Sequence, residues 1–169
     1  EPPKGSPLLE LDNIIVTPHL GASTDEAQEK AGISVAKSVR LALAGDLVPD
    51  AVNVAGGNID SSVKPGISLM ENMGQILFGI SGGNVSAIEV EVRGEIAAHD
   101  VSVLKLAGLK GFFENAVTDQ VSYVNAPLLA EQRGVDVKLT VDSRSDEYRN
   151  VTSIKATLAD GTTASVSGT

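Results

Sequence analysis

Ile88-Glu89-Val90-Glu91-Val92-Arg93 alternates apolar with charged residues over six positions, which is the two-residue period of a strand with one face in a core and the other in water. Upstream, Leu69, Met73, Ile76, Leu77 and Ile80 recur every three or four residues. That spacing predicts a helix, opened by Pro65 and ended by Ser81-Gly82-Gly83-Asn84. Downstream, Val103, Leu104, Leu106, Ala107 and Leu109 give the apolar side of a second helix over about 100–115. Asn125 is placed to cap a short third helix that starts at Ala126-Pro127 and closes at Gly134. Three strands follow. Val135, Val137, Leu139 and Val141 alternate with polar residues, and so, less regularly, does the run from Val151 to Leu158. Asp160-Gly161 then signals a type I′ hairpin into the last strand, from Thr162 to Ser167. Helix, strand, two helices and three strands make an α+β layer, with helices covering one face of a mixed, mainly antiparallel sheet.

The chain before this block has a different character. Ile14-Ile15-Val16-Thr17 is a buried-strand pattern stopped by Pro18, so a strand is expected to end at His19. Ser23 and Glu26 stand in capping-box spacing. Behind them Ala27, Ala31, Val35 and Val39 recur every fourth residue, the stripe of an amphipathic helix of roughly five turns closed by Gly45. Leu47 to Gly57 breaks that period with Pro49 and ends in two glycines, which reads as a linker, and a second domain is expected from Asn58 onward.

Charge and composition exclude several classes of function. The 13 Lys and Arg against 22 Asp and Glu leave a net charge of −9, a field that repels nucleic acid and anionic lipid. No run approaches the roughly 18 apolar residues of a membrane span. The lack of cysteine removes disulfides, thiolate metal ligands and thiol nucleophiles, and fits the cytoplasm. The first residue is Glu1 and the last follows a strand-like run, so both ends read as cut from a longer chain.

Only two histidines occur. His19 lies between a predicted strand end and a helix start, the kind of loop where open α/β sheets hold ligands. An imidazole there either does acid-base work near neutral pH or only fills a turn. Gly21 would let a flat ligand approach the backbone. His99, at a helix entrance beside a capping Asp100, has no assigned role. Gly56-Gly57 and Gly82-Gly83 lack phosphate-loop spacing. Glu89/Glu91 and Asp142/Asp146 read as solvated carboxylates, and Arg144 and Arg149 as surface ion pairs that also suit a phosphate.

Thr17-Pro18-His19-Leu20-Gly21-Ala22-Ser23-Thr24 resembles the signature around the catalytic histidine of NAD-dependent D-2-hydroxyacid dehydrogenases. Ser6-Pro7-Leu8-Leu9-Glu10-Leu11 and Val48-Pro49-Asp50-Ala51-Val52-Asn53 resemble the phosphoglycerate dehydrogenase branch of that family. Val92-Arg93-Gly94-Glu95 and Tyr123-Val124-Asn125-Ala126-Pro127-Leu128-Leu129-Ala130 resemble the intervening, allosteric substrate-binding domain of its long actinobacterial type. The resemblance implies that residues 1–57 are the strand-loop-helix remnant of a Rossmann-type NAD-binding domain with its crossing helix and linker, and that 58–169 are the intervening domain, truncated at its C-terminal end. It also implies oxidation of 3-phosphoglycerate with NAD in serine biosynthesis, with His19 as the acid-base residue and His19, Leu20, Gly21 and Ala22 lining the nicotinamide end of the cofactor. No metal is implied. The implied partners are the small-molecule substrate, an anionic effector and further copies in a homo-oligomer, a tetramer in the family. The family's glycine-rich fingerprint and its catalytic Arg and carboxylate would lie upstream, and its ACT domain downstream. The competing reading is a non-catalytic anion-binding and assembly module akin to the similar domain of L-serine dehydratases.

Overall fold

The computed structural model describes residues 5–17, 19–52 and 59–169. Their Cα positions group into two compact units, Glu1–Val39 and Arg40–Thr169. Among the described residues no helix is long and apolar enough to cross a membrane.

In the first unit, Ser6 opens a 3-10 turn at Pro7–Glu10 by accepting the Leu8 amide on its hydroxyl. The strand expected at Ile14–Thr17 does not form. Ile14 donates to the Leu11 carbonyl in a turn, and Ile15 is 93% exposed. A parallel strand is held by ladders to its neighbours, and no other strand is present in this unit among the described residues to supply them. Helix α1 spans Asp25–Ala44 as the periodicity predicts. Its cap is shifted by one residue: Thr24 rather than Ser23 receives an amide, from Ala27 at 3.2 Å. Gly45 ends it with φ +77°.

The second unit is the expected α+β layer. After α2 (Lys64–Ser81) come β1 (Val85–Gly94), α3 (Ser102–Glu114), α4 (Ala126–Gln132), β2 (Asp136–Asp142), β3 (Asn150–Leu158) and β4 (Thr163–Gly168). The sheet order is β2-β1-β3-β4. Only β1 and β2 run parallel; β1 with β3 and β3 with β4 are antiparallel. Ile88, Val90, Val92, Ile154 and Ala156 point to the helices and are fully or almost fully buried. Glu89, Glu91, Arg93, Ser153 and Lys155 alternate with them on the open face.

Helices α2 and α3 pack at backbone distance because glycines face each other. A Cβ on Gly74 would lie 2.2 Å from the Gly108 carbonyl oxygen. Phe112, Phe113, Met70, Leu77, Leu104 and Leu109 fill the space around this crossing, each at most 1% exposed.

Three local expectations are corrected. Asn125 does not cap α4 with its side chain: its Oδ1 accepts the Ser122 amide at 2.7 Å and its Nδ2 donates to the Gln120 carbonyl at 3.0 Å, so it ties the preceding loop together. The β3–β4 hairpin is present, but its turn is not type I′, which needs positive φ at two central residues. Only Gly161 is left-handed, at +85°. Gly161 donates to Leu158 and Leu158 to Thr162, a three-residue loop in which the glycine takes the bulge position. Finally, the described part of the predicted linker is docked in the second unit. Val48 is 4% exposed, and Leu47 and Ala51 pack on the core. Asn53 to Asn58, with Gly56-Gly57, lie outside the described residues.

Candidate functional site

Thr24, by capping α1, fixes where the preceding loop must turn. Ser23 donates to the Leu20 carbonyl at 3.1 Å, closing a turn whose interior residues are Gly21 and Ala22. His19 stands in the bend that enters it and is exposed; Leu20 is 57% exposed. A Cβ placed on Gly21 would meet nothing within 4 Å. The glycine therefore leaves open backbone, against which a flat ring could lie. The four residues picked from the sequence thus form one short exposed surface at the start of a capped helix. Pro18 lies outside the described residues.

Residues given bland readings behave accordingly. Glu89 is held ionised between Lys155 at 3.2 Å, Lys138 at 3.5 Å and the Thr140 hydroxyl at 3.0 Å. The hydrogen bond from Lys155, then that from Thr140, lowers its pKa. Such a carboxyl does not serve as a general acid beside Glu91. Arg144 grips Asp142 with both Nε and Nη2, at 3.3 and 3.2 Å, and lowers the pKa of that carboxyl, while the Arg144 pKa is raised in return. Arg149 donates to Glu95 at 2.7 Å. Both arginines are engaged by side chains of this chain, as surface ion pairs. His99 stands 3.5 Å from Asp60, and Asp100 accepts the Ser102 amide at 2.9 Å.

One cluster escaped the sequence reading. The buried Tyr123 donates its hydroxyl to Glu71 on α2, and Lys110 on α3 reaches the same carboxylate at 3.2 Å. Lys110 also lies 5.5 Å from the centre of the Tyr123 ring and within 4.0 Å of Glu114, which accepts from Gln75 at 3.1 Å. Burial first, and the adjacent Glu71 second, hold the Tyr123 pKa well above its ordinary value. The signal for this cluster was in the sequence: Glu71 is the one charge on α2 after Lys64, and Lys110 stands between Leu106-Ala107-Gly108-Leu109 and Gly111-Phe112-Phe113. Its chemistry is that of a tie between two helices and the loop before α4.

Two concavities of the second unit lie at one end of the sheet, one of about 600 Å³ lined by Arg93, Tyr148, Val151 and Ser167, another of about 370 Å³ by Ser62, His99 and Arg149.

A family model described as the D-3-phosphoglycerate dehydrogenase intervening domain matches residues 62–169. Over all 169 residues the chain is 47% identical to the D-3-phosphoglycerate dehydrogenase of Mycobacterium leprae. Identity is 38% over 161 residues to that of Methanocaldococcus jannaschii, covering 93% of this chain. With the chloroplastic D-3-phosphoglycerate dehydrogenase 2 of Arabidopsis thaliana it is 37% over 158 residues, covering 88%. The chain spans 32, 30 and 25% of those three relatives respectively, a third of their length or less. The intervening-domain model covers all four strands and all but the first helix, and relatives of one name match along nearly the whole chain, so this chain belongs to the D-3-phosphoglycerate dehydrogenase family.

Proposed function

We propose that the chain is a section of an NAD-dependent dehydrogenase that oxidises 3-phosphoglycerate to 3-phosphohydroxypyruvate, the first step of phosphorylated serine synthesis, in the cytoplasm. The observation that carries this reading is the 47% identity over the full 169 residues to an enzyme of that name. Residues 1–57 then contribute to the catalytic domain, and 58–169 form the intervening domain that senses an anionic effector and assembles the homo-oligomer.

The first unit fits one end of the cofactor. Open backbone at Gly21 and the exposed Leu20 and Ala22 offer a surface for the nicotinamide ring. When bound, NAD supplies the hydride acceptor. His19 takes the proton of the substrate's C2 hydroxyl as the alcohol becomes a ketone, and returns it in the reverse direction. An imidazole suits both steps because its ordinary pKa lies near neutrality. The second unit has a different part: the family model matches it alone, as an intervening domain, which favours a regulatory and assembly role for residues 62–169.

The test is direct. Absorbance at the NADH band, with 3-phosphoglycerate and NAD, should rise with the full-length parent and stay flat with the 169-residue chain. A full-length parent that is inactive on 3-phosphoglycerate would remove the reading.

A further inference from the structure

The loop that carries His19 runs straight into the start of α1. Ser23 donates to the Leu20 carbonyl at 3.1 Å, closing the turn at residues 20–23. The next residue, Thr24, is already the helix cap. Its carbonyl accepts the Gln28 amide at 3.0 Å, the first bond of the helical ladder, and its hydroxyl accepts the Ala27 amide at 3.2 Å. No residue stands between turn and cap, so the orientation of Thr24 sets where Gly21 and Ala22 present their backbone. All three bonds lie within residues 20–28, so this segment alone makes them. Asp25 and Glu26 occupy the first turn of α1, where their charge suits the positive end of the helix dipole. The helix therefore keeps support for its start without the Thr24 hydroxyl. What goes is the bond that aims the entering chain.

We infer that Thr24 is a positioning residue for the nicotinamide end of the cofactor, acting through the turn at residues 20–23 rather than on the reacting atoms. The inference rests on the role proposed above for the His19 loop. Valine has the shape of threonine without a hydrogen-bond acceptor, so Thr24→Val removes the capping bond and little else, whereas Thr24→Ser keeps it. A capping hydroxyl shifts a local equilibrium by up to roughly tenfold. Cofactor affinity falls in proportion to the fraction of molecules whose loop is in place. Once NAD is bound the ring itself holds the loop, so turnover at saturating NAD changes little. Loss of Thr24 is thus a defect of affinity, the opposite of the defect expected when His19 is removed.

The test uses the full-length parent, with NADH affinity read from its fluorescence and kcat and KM for NAD measured with 3-phosphoglycerate. Thr24→Val should raise the NADH Kd and the KM for NAD by up to roughly tenfold while kcat stays within about twofold, and Thr24→Ser should restore both. A merely structural loss does the reverse, since fewer folded molecules lower the apparent kcat and leave KM alone. Lys30→Gly weakens the interior of α1 without touching the cap and should leave Kd and KM at their wild-type values. Where Thr24→Val yields no folded enzyme, Thr24→Gly carries the same test, because glycine also lacks the acceptor yet costs a helix start little. Wild-type NADH affinity in Thr24→Val overturns the inference. So does a weakening that Thr24→Ser fails to restore or that Lys30→Gly reproduces. A parent that binds NADH without oxidising 3-phosphoglycerate removes the proposed function, and the NADH titration then decides Thr24 by itself. A parent that binds no NADH removes both.

Discussion

Gly111 on α3 passes the Glu71 carbonyl on α2 so closely that a Cβ there would lie 2.0 Å from the oxygen. No rotamer relieves a clash with backbone, so the helices must part, and Gly111→Ala should cost about 3 kcal/mol of packing against the roughly 1 kcal/mol gained in helix propensity. The melting temperature should drop by roughly 4–8 °C for a chain of this size. Gly32→Ala on α1 is the counter-experiment. A Cβ there meets nothing within 4 Å, so stability should rise by about 0.5–1 kcal/mol. Calorimetry on the two variants should give opposite signs.

The Tyr123 tie makes stability fall in alkali. Its folded pKa is raised above the ordinary 10.0, chiefly by burial and then by Glu71. The neutral phenol is therefore retained in the folded state while the unfolded chain ionises. Its contribution is complete below pH 10 and is lost as pH rises from there through the folded pKa. Between pH 10 and 11 urea unfolding should lose up to about 1.4 kcal/mol more per pH unit in the wild type than in Tyr123→Phe. At pH 7 the same variant should cost about 1–2 kcal/mol, since Glu71 loses a donor. Equal alkaline slopes in the two proteins would show that the phenol is not held neutral.

In the full-length enzyme, His19→Ala should lower kcat by roughly 100-fold or more, with NAD binding largely intact, as when a general acid-base is removed. Gly21→Val should act mainly on cofactor affinity. The open space at Gly21 shows no steric obstacle within this chain, so any loss must come from the ligand side. Near-normal turnover by His19→Ala with 3-phosphoglycerate would refute the acid-base assignment.

These residues also show what the sequence made legible. Ile88, Val90 and Val92 announced a strand and its inner face because one strand's period is local information. The parallel pairing of Ile88 with Val137 is not local, and nothing in either run states it. Ile14–Val16 read as a strand because composition describes what a segment suits, whereas a ladder needs partners elsewhere. Asp160-Gly161 marked the hairpin correctly, but its turn type depends on the φ of Asp160, which the dipeptide leaves open. Among the candidate site residues, the His19 loop was picked from a local motif. Tyr123, Glu71 and Lys110 lie on three separate segments and meet only once α2 and α3 have packed.

The last prediction concerns where the second domain begins. The sequence suggests Asn58 and the family model begins at residue 62, yet the compact unit starts at Arg40. The difference is the end of α1, from Arg40 to Ala44, and the segment after it. Val48 is 4% exposed and Leu47 and Ala51 pack on the same core, while Gly45 fits beside Gln120, to whose amide nitrogen a Cβ would come within 3.1 Å. Burying a valine contributes about 1.5–3 kcal/mol. A chain of residues 58–169 keeps all three α-helices and every strand of the layer, so it should still fold cooperatively. A chain of residues 40–169 should be more stable by about 2–4 kcal/mol, because Val48 and its neighbours cover apolar surface that the shorter chain exposes. Val48→Ala in the longer chain should remove about 1–2 kcal/mol of that difference. Urea midpoints of the three proteins decide the matter. Equal midpoints for the 40–169 and 58–169 chains would make residues 45–51 a tether that adds nothing to the fold, and the boundary would then stand at Asn58. A 58–169 chain that fails to unfold cooperatively would instead make the docked segment an integral part of the domain.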